Sequence, residues 1–312
     1  MKNLFPALVK DSRRSLYLPF SLGHFANDFV PCSVVVLAPA IALEMGLNPM
    51  EVGLLLTLHT LGSALGFFPA GLLADSARNR GNLLVLTFWW VGLGYLLASW
   101  APGFWSLAFL FALAGCGDAA WHPLATAILV KSDPQNRGQA LGFHAVGGTL
   151  AGVVGPVIVG ILLASMDWRQ TLHLIILPTL LVGLLFLKIR KLVPKQAKLK
   201  AISKEDFQHL WKSWTKKTGL LIICLMSSYH MSLVAMMSMI PLYLREFHGL
   251  SSAMTGLAFG MMVLSGAFMQ PLMGRFSDRA GRRRVIVLGI ATAAVCAFMI
   301  PILENFGLLF MI

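Results

Sequence analysis

Charge is scarce in this 312-residue sequence: 12% of the residues are charged, and only 13 are acidic. An average soluble domain carries about 25% charged residues, so a water-soluble fold is excluded for a chain that is 57% hydrophobic. Cysteine is scarce too. Cys32, Cys116, Cys224 and Cys296 lie far apart in apolar segments with no C-x-x-C spacing, which leaves them as small apolar core residues. No Walker-type phosphate loop is present, which argues against an ATP-driven pump. No nucleophile–base arrangement stands out, so an enzyme is not expected. A cleavable signal is also missing: MKNLFPALVKDSRR scatters its charges and leads straight into a full-length apolar run.

Apolar stretches of about 20 residues, the length that crosses a bilayer as helix, fill most of the chain. Nine complete spans are predicted, at 17–43, 50–74, 82–100, 103–130, 139–165, 169–190, 219–244, 252–276 and 284–303, and a tenth starts near Asn305. The fold class is therefore an all-α membrane protein. Basic residues then set its orientation. Of the 25 lysines and arginines, 23 fall before the first span or in alternate loops, leaving only Arg169 and Arg245 on the other side. By the positive-inside rule the basic side, with the N-terminus, is cytoplasmic. This asymmetry explains the net charge of +12 without a nucleic-acid partner. One real linker, 191–218, is strongly basic. Within it Phe207, Leu210, Trp211 and Trp214 share one helical face, so a short amphipathic helix lying on the anionic inner leaflet is expected.

GLLADSARNRG, from Gly71 to Gly81, returns 203 positions later as GRFSDRAGRRR, from Gly274 to Arg284. Asp75 maps to Asp278 and Gly53 to Gly256 at the same offset. Two like halves, each repeating a membrane segment and its turn, are a transporter signature. Three units follow: a six-helix bundle over 1–190, the linker 191–218, and a partial second bundle over 219–312. Residue 312 corresponds to residue 109 of the first half, so the second bundle is expected to stop short.

Ionisable groups inside the spans are the other signal, because a charge there costs roughly 2.5–3.5 kcal/mol even on the lenient insertion scale. Only Asp28 and Asp118 among the acids fall near mid-span, and each has a histidine four residues away, His24 and His122 respectively. That spacing puts each pair on one helix face, where an aspartate and a histidine can share and pass a proton. His230 occupies the position that repeats Asp28, and His144 is a weaker candidate. His59 and His173 are expected to make local hydrogen bonds. A metal site from His24, Asp28, Asp118 and His122 has no short ligand motif behind it, and neither metal nor cofactor is assigned.

The repeated turn resembles the loop motif of the major facilitator superfamily, through Gly274, Asp278, Arg279, Gly281, Arg282 and Arg283. The first copy keeps Gly71, Leu73, Ala74, Asp75 and Arg80, with Ser76 in place of arginine and Arg78 in place of glycine. The resemblance implies two pseudo-symmetric six-helix bundles rocking about a central site, with about 80 residues, two to three helices, missing from the second. It also implies a cytoplasmic gate at Gly71, Asp75, Arg80, Arg137, Gly274, Asp278, Arg279, Gly281 and Arg282, and places the first and fourth spans beside the pathway. SLGHFANDFV, with His24, Asn27 and Asp28, and GCGDAAWHPLA, with His122 and Pro123, are similar to the fosmidomycin-resistance-type efflux group. The implied function is secondary, proton-coupled efflux of a small organic or drug-like compound by a monomer in the inner membrane. Its proton-coupling and substrate-facing groups are Asp28, His24, Asn27, Asp118, His122 and His230; its partners are the substrate, protons and the bilayer. Proton-symport uptake of an organic anion or nutrient is the alternative. A non-transporting scaffold or sensor is the alternative of another class.

Overall fold

Every predicted span becomes helix in the computed structural model, which describes residues 16–195 and 203–302. The described elements are α1 (Tyr17–Met45), α2 (Pro49–Ser76), α3 (Arg80–Ala98), α4 (Phe104–Ser132), α5 (Arg137–Leu162), α6 (Trp168–Ile175), α7 (Leu177–Ile189), α8 (Lys204–Thr215), α9 (Lys217–Glu246), α10 (Ser252–Ala280) and α11 (Arg282–Met299), followed by a 3-10 turn at Ile300–Ile302. Among the described residues, seven segments are long and apolar enough to cross a membrane, counting α6 and α7 as one. The expected start of a tenth span near Asn305 lies outside the described residues. So do the side chains at 271–279 and 282.

Local chemistry explains the boundaries. Gly46 ends α1 at φ 65°, the left-handed conformation that glycine adopts without strain. Asn48 then caps α2: its side chain accepts from the Glu51 N–H, and Glu51 accepts from the Asn48 N–H, both at 2.9 Å. Pro49 follows at the first helical position, where its missing N–H costs nothing. The sixth span, predicted continuous over 169–190, is broken at Ile176. Pro178 supplies the reason, since it cannot donate to the Leu174 carbonyl one turn back.

Glycine decides how closely the helices approach. A Cβ on Gly62 would overlap the Ala112 carbonyl, and one on Gly66 the Cys116 carbonyl, so α2 lies directly against the α4 backbone. Gly256 meets α5 at the Pro156 carbonyl in the same way. In lipid, where apolar burial between helices gains little, such contact supplies van der Waals attraction instead.

The buried apolar side chains form two clusters. One includes Phe29, Leu37, Ile41, Leu107 and Phe111. The other includes Tyr17, Phe20, Leu84, Trp121 and Phe186, toward the basic end. On α1 and α4 the boundary between them falls at the residues where both helices turn polar.

The linker helix α8 forms as expected, and Phe207, Trp211 and Trp214 on it are exposed. Arg169, at the opposite end, is a clamp. It pairs with Glu44 at 3.0 Å, donates to the Ser99 and Ala101 carbonyls at 2.6 and 3.2 Å, and lies 4.2 Å over the Trp168 ring.

Candidate functional site

Three helices bring a polar cluster together between the two apolar clusters. From α1 come His24, Asn27 and Asp28, from α4 Asp118 and His122, and from α5 His144. Gly148 makes room for it: a Cβ there would stand 2.6 Å from His24 Cε1. Pro31 removes the helical hydrogen bond to the Asn27 carbonyl, and Pro123 the one to the Ala119 carbonyl. Both helices therefore have weakened backbone ladders beside the site.

His24 is held at both nitrogens. Its Nδ1 lies 2.7 Å from the His144 carbonyl, and its Nε2 lies 3.1 Å from Asp28 Oδ2. A carbonyl only accepts, so Nδ1 carries a hydrogen. The contact to Asp28 then needs a further proton, either on Nε2 facing a carboxylate or on the carboxyl facing a neutral nitrogen. In both forms one proton lies between His24 Nε2 and the Asp28 carboxyl. The pair is largely buried, with side chains 12% and 16% exposed.

Asn27, fully buried, joins the two aspartates. Its Nδ2 donates to Asp118 Oδ1 at 2.6 Å, to the Asp118 carbonyl at 3.1 Å and to Asp28 Oδ1 at 3.2 Å. These three acceptors fix which way the amide faces and leave Asn27 Oδ1 without a partner among the described residues.

The geometry corrects the expected pairing of Asp118 with His122. His122 Nε2 turns to Asp28 Oδ1 at 3.8 Å, while the Asp118 carboxylate is taken by Asn27. Packing sets this choice. The His122 ring lies parallel to Phe67, planes 7° apart, and edge-on to His24 at 5.2 Å. His144, ranked low from sequence, is stacked on His24 with centroids 4.0 Å apart. His230 is exposed on α9 and shares no hydrogen bond or ion pair with this cluster among the described residues. The local roles expected for two other histidines are present, with His59 2.6 Å from Tyr95 Oη and His173 2.7 Å from Ser99 Oγ.

Two triads, His24–His122–His144 and Asp28–Asp118–His122, have donor atoms within 4.8 Å of one another, close enough in principle for a divalent cation. Both His24 nitrogens are already engaged, however, and Asn27 occupies the space between the carboxylates. The donor set suits protons better than a resident metal.

The expected gate residues are more scattered. Asp75 bonds Lys131 of α4 at 3.1 Å, both side chains well exposed. Arg80 is buried and donates to the Pro194 carbonyl at 3.4 Å. Arg137 is exposed at the start of α5. A Cβ on Gly71 meets nothing within 4 Å among the described residues. Gly281 does have a conformational reason, at φ 91° between α10 and α11. Gly274, Asp278, Arg279 and Arg282 are placed only by the helices that carry them, their side chains lying outside the described residues.

The model of the Major Facilitator Superfamily matches residues 20–312, the helices of this cluster included. The chain belongs to the Major Facilitator Superfamily. It is 28% identical over 281 residues to a probable 4-methylmuconolactone transporter of Cupriavidus pinatubonensis, covering 85% of this chain and 62% of that relative's length. It is 26% identical over 280 residues to a probable sugar efflux transporter of Helicobacter acinonychis, covering 87% of this chain and 69% of the relative. The fold matches the crystal structure of a bacterial homolog of the human lysosomal transporter Spinster, inward-facing and unoccupied. The TM-score is 0.79 at 19% identity, over 97% of this chain and 71% of that one.

Proposed function

We propose that this superfamily member is a secondary transporter that exports a small organic compound across the inner membrane in exchange for protons, by alternating access. The observation that carries the reading is His24, held between the His144 carbonyl and the Asp28 carboxylate at 2.7 and 3.1 Å. That arrangement requires a proton which can leave when either partner moves. Asn27, Asp118 and His122 extend the same polar surface and offer substrate acceptors and donors. Inward movement of one charge through 100 mV releases about 2.3 kcal/mol, enough to drive export without ATP. The relatives' names, one a lactone transporter and one a sugar efflux transporter, support a small oxygen-rich substrate and outward flux.

The bundle 1–190 would hold the coupling cluster and 219–312 the opposing helices. Between them, the exposed aromatics of α8 and the lysines around them suit an anionic cytoplasmic leaflet. The protein would act as a monomer with its N-terminus in the cytoplasm. Asp75 with Lys131 would help to hold the basic end shut.

Proteoliposomes with an imposed pH gradient provide the test, using 4-methylmuconolactone, a hexose and a lipophilic cation as probes. The expected result is outward exchange that dissipates the gradient and is abolished in Asp28→Asn, with membrane insertion intact. Unchanged coupled flux in Asp28→Asn would sink the assignment. Probe and protons moving inward together would replace export by symport.

A further inference from the structure

The turn before α3 and the chain leaving α7 line a half-open cavity of about 260 Å³ at the basic end of the bundle. Arg78, Arg80, Arg190, Lys191 and Lys195 line it together with Asn82; among the described residues no carboxylate lines it, the nearby Asp75 acting on Arg80 only through space. The N-terminus of α3 opens here with no side-chain cap and no acidic residue in its first turn, so its partial positive charge adds to theirs. Gly81 lets the start of α3 press against Arg190, whose carbonyl would lie 2.7 Å from a Cβ there.

Arg80 is the decisive residue. It is only 4% exposed, yet among the described residues its Nε and Nη1 have no hydrogen-bond partner, and Nη2 reaches only the Pro194 carbonyl at 3.4 Å. A buried guanidinium is normally saturated by acceptors. Arg190 offers no relief, because it is a donor itself, to Asn82 Oδ1 at 3.2 Å and the Leu187 carbonyl at 3.2 Å. Five cations, an open helix N-terminus and an unsatisfied buried arginine lack one thing in common: a compact group with several acceptor oxygens.

We propose that this cavity binds a phosphate group, carried either by an anionic lipid or by a soluble phosphate compound. A tetrahedral oxyanion accepts from Arg80 and from the α3 backbone together, and its charge offsets the mutual repulsion of the five cations. The site lies apart from the His24–Asp28 cluster and does not depend on the transport reading.

Thermal unfolding of the full chain in nanodiscs tests it. Phosphatidylglycerol, compared with phosphatidylcholine alone, and inorganic phosphate, compared with chloride at equal ionic strength, are the two probes. At least one should raise Tm in the unmodified protein, and the rise should be at least halved in the double variant Arg190→Gln/Lys191→Gln. A response to phosphatidylglycerol alone identifies a lipid head group; a response to inorganic phosphate identifies a soluble ligand. Arg80→Met should lose the response while unfolding no earlier than the unmodified protein without anion, since it removes a buried guanidinium whose Nε and Nη1 have no hydrogen-bond acceptor among the described residues. The proposal fails if neither probe raises Tm, if the double variant responds in full, or if Arg80→Met is markedly less stable without anion.

Discussion

The imidazoles of His24 and His144 lie face to face, centroids 4.0 Å apart and planes 17° from parallel. Two protonated rings at that distance would repel by about 4 kcal/mol at an effective dielectric of 20, so the stack holds one cation at a time. His144→Phe preserves both the stacking and the carbonyl that His24 Nδ1 uses, and should keep pH-driven exchange within about threefold, a cost under 1 kcal/mol by the usual conversion. His144→Lys fixes a cation beside the pair and should lower it by about tenfold or more, at 1.4 kcal/mol per decade. Initial rates of exchange in proteoliposomes separate the two variants. Equal rates would remove His144 from the coupling group.

Asn27 should be structural and functional together. It is fully buried and its amide serves both aspartates. Asn27→Ala takes the amide donor from Asp118 while Asp28 keeps His24, and should cost about 1–3 kcal/mol of stability. Asn27→Asp should cost more, because it replaces the shared donor with a third acid. Equilibrium unfolding in mixed micelles measures the order, which reverses if the amide is incidental.

The exposed pair Asp75–Lys131, 3.1 Å apart, should contribute little to stability, since surface ion pairs are worth about 0–1 kcal/mol. If it latches one transport state, its effect belongs in the rate. Lys131→Asp should slow exchange with Tm nearly unchanged, and the swapped double variant Asp75→Lys/Lys131→Asp should restore much of it. Failure of the swap, with both proteins folded, would assign the pair to the surface alone.

What could be read from the sequence was whatever one helix decides for itself. The apolar runs, the basic asymmetry and the His24–Asp28 spacing depend on residues within a few turns, and the helices and this contact are present. Contacts that depend on helix rotation were not legible. His122 turning to Asp28, His144 stacking on His24, and Lys131 meeting Asp75 follow from how α1, α2, α4 and α5 seat against one another. No spacing along the chain records that seating. The break at Ile176 was legible in principle, through Pro178. It was masked because the run around it, from Leu174 to Leu187, is apolar apart from Thr179.

Glycines of the same chain should split sharply in their tolerance. At Gly62 an added Cβ meets the Ala112 carbonyl, and main chain cannot rotate away as a side chain can. Gly62→Ala must therefore separate α2 from α4, at a cost of about 1–3 kcal/mol for overpacking and more for valine. At Gly71, in the repeated turn, a Cβ finds open space among the described residues. Alanine fits a helix better than glycine does, by about 0.8–1.0 kcal/mol, so Gly71→Ala should leave Tm unchanged or slightly raised. Any loss of exchange in Gly71→Ala would then arise in another transport state, where α2 approaches a partner it does not touch here. Measuring Tm and exchange rate on both variants distinguishes static packing at Gly62 from state-dependent contact at Gly71. Equal destabilisation of the two would contradict the α2–α4 packing described here.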